Sequence, residues 1–317
     1  MDKEARLAEQ HRIGIVGCGR WGRNVIRTLV ELKTKYPLDI LGVVNTGKAE
    51  NADFVRSQFG LACEAKLSKL LDGRPDALFI VTPDETHFGI AKQALDRGIA
   101  VFVEKPVALT LSETRQLIEI SKRKKAGLST GHLLVFHPCV RLIQDWLHRT
   151  GQEPLSIFSN RLAQIAMTQG RTVLRSSLVH DLSMVDVFLK KIPSAATCRS
   201  FFKPMPDSEY VDVFLDFPGG AKAHLIGSSV WPEPERTFAL WTQDTYFHMD
   251  GVKNSIKVFR KKSAGSDYAL EHEETPKGQP LYFELENFIQ SLSDPSKLTI
   301  DADHILRVMS AIDMIER

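Results

Sequence analysis

Arg12-Ile13-Gly14-Ile15-Val16-Gly17-Cys18-Gly19-Arg20-Trp21-Gly22 is the stretch that decides the fold. Its first half is a short run rich in β-branched residues that closes on glycine, which predicts a strand ending in a tight turn. Beyond the turn, Trp21 to Tyr36 carries Val25, Ile26, Leu29, Val30 and Leu32 on one helical stripe. The spacing Gly17-x-Gly19-x-x-Gly22 recurs by chance in many chains, but between a strand and a helix it has a mechanism. The first glycine permits the turn, the second lets a pyrophosphate approach the backbone, and the third lets the helix pack close to its strand. Free N–H groups and the helix dipole then hold the phosphates, with Arg20 and Trp21 inside the same turn.

Strands and helices alternate onward from there. Asp39 to Asn45 reads as a strand and Lys48 to Phe59 as a helix stopped at Gly60. Ala77 to Thr82 and Ile99 to Val103 are nearly unbroken apolar runs, suited to parallel strands buried on both faces. Helices ending at Gly98 and over Leu111 to Lys125, then a strand at Gly127 to Thr130, complete a doubly wound parallel sheet of the Rossmann type. Asn45 ends the second strand, where a side chain meets the adenine ribose. A neutral residue there bonds the hydroxyls without repelling a phosphate, and Lys48 is close by. The expected cofactor is NAD, with NADP left open.

After Gly151 the texture changes. A helix at Leu178 to Leu189 interrupts strand-like runs at 155–162, 196–202, 211–217, 221–230, 236–242, 246–249 and 255–259. Turn signals such as Pro218-Gly219-Gly220 and Asp250-Gly251 predict a large open, mostly antiparallel sheet in a second α/β domain. Helices at Tyr282 to Leu292 and Ala302 to Ile315 close the chain. The expected division is a dinucleotide-binding domain over 1–131 and a substrate and oligomerisation domain over 132–317.

The chain has 317 residues, 43% hydrophobic and 25% charged, with a formal net charge of +2, which describes a globular protein and argues against a nucleic-acid or membrane binder. Four scattered cysteines without a CxxC pair suit neither a disulfide framework nor a zinc site, and no metal is expected. Met1 to Arg12 has no signal-peptide core, so a cytoplasmic location is expected. An open, half-apolar sheet predicts a homodimer or homotetramer.

Val101-Phe102-Val103-Glu104-Lys105-Pro106 ends a parallel strand, where such sheets open into their ligand crevice. A lysine there suits a substrate hydroxyl, and equally suits a surface pair with Glu104. Together with Gly17 to Gly22, Thr82-Pro83 with His87, Gly131-His132, His180-Asp181 and Glu284-Leu285-Glu286-Asn287-Phe288, this segment resembles the Gfo/Idh/MocA oxidoreductases. The resemblance implies that Lys105 and His180 face the substrate beside the nicotinamide, with Thr82, Pro83, His87 and Glu104 near the cofactor. Many members carry an aspartate where this chain has Ser176. Ser159-Asn160-Arg161-Leu162, Ser176, His180-Asp181-Leu182-Ser183 and Trp231-Pro232 with Arg236 resemble the branch acting on the 3-hydroxyl of UDP-N-acetylglucosamine. Arg175 and Leu178-Val179 depart from that branch. The implied substrate is a sugar or sugar nucleotide. A free sugar or cyclitol, or a regulator that binds the dinucleotide without turnover, are the alternatives.

The chemistry follows from residue type. Oxidising a secondary alcohol needs a hydride acceptor and a base, and histidine, with an ordinary pKa of ~6.5, suits the base. His180 is predicted to open its helix, where the dipole disfavours the imidazolium. Lys105 would stabilise the developing alkoxide, and Ser176 would orient the imidazole or relay a proton. His87 reads equally as a packing residue. His132 and His137 line or pack a cleft, and Arg161, Arg171 or Arg175 would clamp a diphosphate.

Overall fold

The computed structural model describes residues 10–45, 47–164, 172–202, 209–262 and 267–317. The chain forms two compact units. One runs up to His132 and includes Leu281–Leu306; the other comprises Leu133–Pro280 with Arg307–Arg317.

The first unit is built on β1 (His11–Val16), β2 (Leu38–Val44), β3 (Cys63–Glu64), β4 (Ala77–Ile80), β5 (Ala100–Val103) and β6 (Leu128–Thr130), in the order β3-β2-β1-β4-β5-β6. Every pairing is parallel. All residues of β4 and β5 are buried, as their continuous apolar runs require. The connecting helices are α1 (Arg20–Leu32), α2 (Ala49–Phe59), α3 (Leu67–Asp72), α4 (His87–Asp96) and α5 (Leu111–Lys124). Helix α1 buries Val25, Ile26, Leu29 and Leu32, the stripe seen in the sequence. Helix α2 stops at Gly60 in the left-handed region, and α5 starts with a Thr110–Glu113 capping box.

The second unit contains α6 (Pro138–Thr150), α7 (Val179–Leu189) and a sheet of β7 (Ser156–Gln164), β8 (Ala195–Phe202), β9 (Tyr210–Asp216), β10 (Lys222–Ser228), β11 (Val230–Trp241), β12 (Thr245–Asp250), β13 (Ser255–Lys261) and β14 (Tyr268–Glu274). Strand order is β14-β13-β12-β11-β7-β10-β9-β8. Only β7 and β10 pair in parallel among the described strands. This is the large, mostly antiparallel sheet the turn signals predict.

Helices α8 (Pro280–Ser293) and α9 (Ala302–Glu316) close the chain. The expected boundary, with everything after residue 131 in the second domain, needs correction at residues 281–306. Leu285, Phe288 and Ile289 of α8 are buried in the core of the first unit beside Ile15, Phe79 and Phe102. The Phe288 ring meets Phe79 and Phe102 at centroid distances of 5.3 and 5.7 Å, so this helix supplies one layer of the Rossmann core.

Candidate functional site

The glycine turn has the stereochemistry its spacing demands. Gly17 has φ +101°, and a Cβ there would lie 2.2 Å from the Val81 carbonyl oxygen. A Cβ on Gly22 would lie 2.7 Å from the Gly17 carbonyl oxygen. Those two glycines are required by the protein itself. Gly19 is different, because a Cβ there would meet nothing within 4 Å. It is the N-cap of α1 and supplies no side-chain cap, so the first-turn N–H groups receive no acceptor from it. A helix N-terminus that is uncapped and open at its middle glycine fits a dinucleotide diphosphate.

Asn45 closes the turn between β2 and α2. Its amide donates to the Lys48 carbonyl at 3.0 Å and its Oδ1 accepts the Gly47 N–H at 3.2 Å. The side chain is therefore held in place at the end of β2, with no carboxylate to repel a phosphate.

At the end of β5, Glu104 and Lys105 are brought to the glycine turn by Trp21, whose indole N–H donates to Glu104 Oε1 at 2.5 Å. Although part of Glu104 is exposed, its carboxyl is enclosed: a Cβ on Gly131 would come 2.6 Å from Glu104 Oε2. That close approach accounts for the glycine of Gly131-His132. Burial pushes the Glu104 carboxyl up, against the Trp21 N–H, the Lys105 amide and the charge of Lys105. Behind it lies Glu284 of α8, also buried. Burial first and the neighbouring Glu104 second raise its carboxyl well above the usual range.

His132 is buried, with Nδ1 2.9 Å from His304 Nε2. Burial, His304 and Lys105 together hold its ring well below the ordinary histidine value, so His132 is neutral. His87 is fully buried, with Nδ1 2.7 Å from the Pro106 carbonyl and Nε2 2.8 Å from the Thr82 carbonyl. Its ring braces the Thr82-Pro83 turn against Lys105-Pro106. Both nitrogens are thereby occupied, so the expected place for His87 among the cofactor contacts gives way to a role through those two turns.

In the second unit, a π-helical turn over Leu174–Leu178 holds Ser176 and runs directly into α7, which carries His180. The helical run already starts at Val173, so His180 is inside it. The expected effect of a helix start on this imidazole is therefore absent. Arg161 of β7 forks onto Asp181 of α7, with Nε to Oδ2 at 2.5 Å and Nη2 to Oδ1 at 3.3 Å. Ser159 donates to the same carboxylate at 2.5 Å. Arg175 is paired with Glu316, and Arg171 lies outside the described residues.

Beside Asp181 is a cavity of about 600 Å³, lined in part by His137, Arg161, Arg236 and Asn254. His137 caps α6: its Nδ1 accepts the Cys139 N–H at 3.2 Å and its Nε2 donates toward Asn254 Oδ1 at 3.2 Å. Burial, with Arg161 assisting, lowers its pKa. Among the described residues there is no cluster of three metal-ligating side chains, and no helix is long and apolar enough to cross a membrane.

Residues 11–132 match the oxidoreductase family with an NAD-binding Rossmann fold known as GFO_IDH_MocA. That stretch, the first unit up to its last strand, is what this chain shares with the Gfo/Idh/MocA oxidoreductases. The matched family is described as NAD-binding, and the uncapped glycine turn fits the diphosphate of such a dinucleotide. The chain is 24% identical over 307 residues to UDP-N-acetylglucosamine 3-dehydrogenase of Acidithiobacillus ferrooxidans, covering 95% of this chain and 94% of that one. A solved structure of that dehydrogenase superposes with a TM-score of 0.86 at 23% identity, over 97% of this chain and 96% of that one. An oxidoreductase from Agrobacterium radiobacter, solved with NAD+, L-tartaric acid and magnesium, has a TM-score of 0.82 at 14% identity, over 97% of this chain and 96% of that one.

Proposed function

We propose that this oxidoreductase oxidises the 3-hydroxyl of a UDP-linked N-acetyl sugar. The reading is carried by the similarity to UDP-N-acetylglucosamine 3-dehydrogenase over 95% of the chain. NAD, when bound, supplies the hydride acceptor. Lys105 donates a hydrogen bond to the hydroxyl oxygen and stabilises its alkoxide character, while His180 accepts the proton. Trp21 supports this assignment, since it ties Glu104, the neighbour of Lys105, to the cofactor turn. His132 positions Lys105 from a neutral, buried ring, Ser176 orients His180 from the π-turn, and Arg161 fixes Asp181 next to it. The enzyme works in the cytoplasm as a homodimer or homotetramer. Self-association through the sheet is supported by Phe214, which is 45% exposed and stacked on His224 at a centroid distance of 4.1 Å.

The test is NADH formation at 340 nm with UDP-N-acetylglucosamine against free N-acetylglucosamine. Only the nucleotide sugar should turn over, and equal rates with both would sink the substrate assignment. Lys105→Ala should lower kcat by about 10²–10⁴-fold while leaving NADH binding intact. His180→Asn should flatten the acidic limb of the pH–rate profile. An unaltered profile removes His180 from the role of base.

A further inference from the structure

Arg161 on β7 and Arg236 on β11 are directly opposite partners in the antiparallel ladder. Like charges in that position repel, and a protein tolerates them when an anion lies between or beside them. Asp181 is the one carboxylate among the described residues lining the adjoining cavity, and both of its oxygens are already taken by Arg161 and Ser159. The Arg236 guanidinium makes no hydrogen bond or ion pair among the described residues, although the Arg236 carbonyl accepts the Gly251 N–H. Burial and the Arg161 charge pull its pKa down against the opposing charge of Asp181, yet a guanidinium keeps its proton at neutral pH. Two further cations, Lys253 and Lys277, line the same cavity.

The turn after β12 packs closely on the backbone end of this arginine. A Cβ on Gly251 would lie 3.1 Å from the Arg236 Cβ, so glycine lets the β12–β13 turn pass close by. The N-terminal end of α6, at His137 and Pro138, opens into the cavity too. Phe238 and Met249 give it an apolar wall.

We infer that this cavity binds the diphosphate of a nucleotide-linked ligand, with Arg236 as its principal anion clamp. A guanidinium fork matches phosphate oxygens in pairs, and the apolar wall suits the nucleoside beside them. Naming the ligand a nucleoside diphosphate rests on the UDP-sugar reading above; the uncompensated arginine does not.

The experiment is calorimetric titration of UDP, and of inorganic pyrophosphate as the bare anion, into the wild type, Arg236→Gln and Arg236→Lys. Wild type should bind UDP, Arg236→Gln should weaken it at least tenfold, and Arg236→Lys should recover part of the loss. NADH affinity should be equal in all three, which shows that the variants are folded. Without ligand, Arg236→Gln should melt no lower than wild type, because a repulsion has been removed; an arginine with a merely structural role would lower the melting point. UDP affinity indifferent to Arg236, or no UDP binding to wild type at millimolar concentration, overturns the inference. Turnover of UDP-N-acetylglucosamine with an unchanged KM in Arg236→Gln would keep the proposed reaction and discard this site. UDP binding lost in Arg236→Gln, without turnover of any UDP-sugar, would keep the site and discard the reaction.

Discussion

The first unit encloses a surplus of acid at Glu104 and Glu284, and the second holds a surplus of guanidinium at Arg161 and Arg236. The two surpluses have different remedies. A carboxyl driven up by burial and by its neighbour can keep its proton, so the acidic pair settles its charge internally. An arginine has no such option near neutral pH and must find an anion. Asp181 serves Arg161 and leaves Arg236 facing a cavity. Charge imbalance of one sign is thus compatible with a closed structure, while imbalance of the other sign is an invitation to a ligand.

The contrast can be broken at several points. Asp181→Asn removes the second unit's one compensating carboxylate at this cavity and should destabilise by about 3 kcal/mol or more, read from urea midpoints, because it strands the mostly enclosed Arg161 as well. A loss under about 0.5 kcal/mol, as at an ordinary surface site, would mean that the arginines are solvated and their surplus imaginary. Gly17→Ala, which puts a Cβ on the Val81 carbonyl at positive φ, should cost about 3 kcal/mol. Gly19→Ala meets open space and should keep its melting point while losing NADH affinity. Equal melting points for these two variants would refute the division of labour within the turn.

Glu284→Gln probes the acidic pair. Because the folded carboxyl is raised, the native state holds a proton that the unfolded chain releases above pH ~4.5. Wild-type stability therefore falls as pH rises from there toward the folded value. Across that window the glutamine variant should gain on wild type as pH rises, seen in urea midpoints that diverge above pH ~5. A pH-independent difference would mean that Glu284 is ionised in the fold.

Much of the first unit is readable from the chain alone. The glycine turn, the stripe on α1 and the apolar runs of β4 and β5 each follow one period, and each forms as expected. What was hidden depends on distant partners. Helix α6 buries Val140, Ile143 and Trp146 at helical spacing, a periodic signal that the sequence carries directly after His137 and that the expected elements do not include. Strand β14, Tyr-Ala-Leu-Glu-His-Glu-Glu, is an exposed edge strand with little apolar alternation, so periodicity is silent there. The allegiance of α8 is legible only once Phe288 is seen between Phe79 and Phe102. The candidate site divides the same way. Gly17 and Gly22 carry their reasons locally, while the carbonyl partners of His87 and the cross-strand placement of Arg236 require the fold. A π-turn before His180 has no signature in composition or spacing.

The path of the chain through its first unit has a consequence for biosynthesis. The segment from β1 to β6 emerges early from the ribosome, but Leu285, Phe288 and Ile289 of its core emerge only after the whole second sheet has been made. Until then, Phe79 and Phe102 lack their aromatic partner, and the nascent dinucleotide fold carries an unfilled apolar face. A stop codon placed between the sheet and α8 would yield a chain that contains every glycine of the cofactor turn and still cannot finish the core behind it.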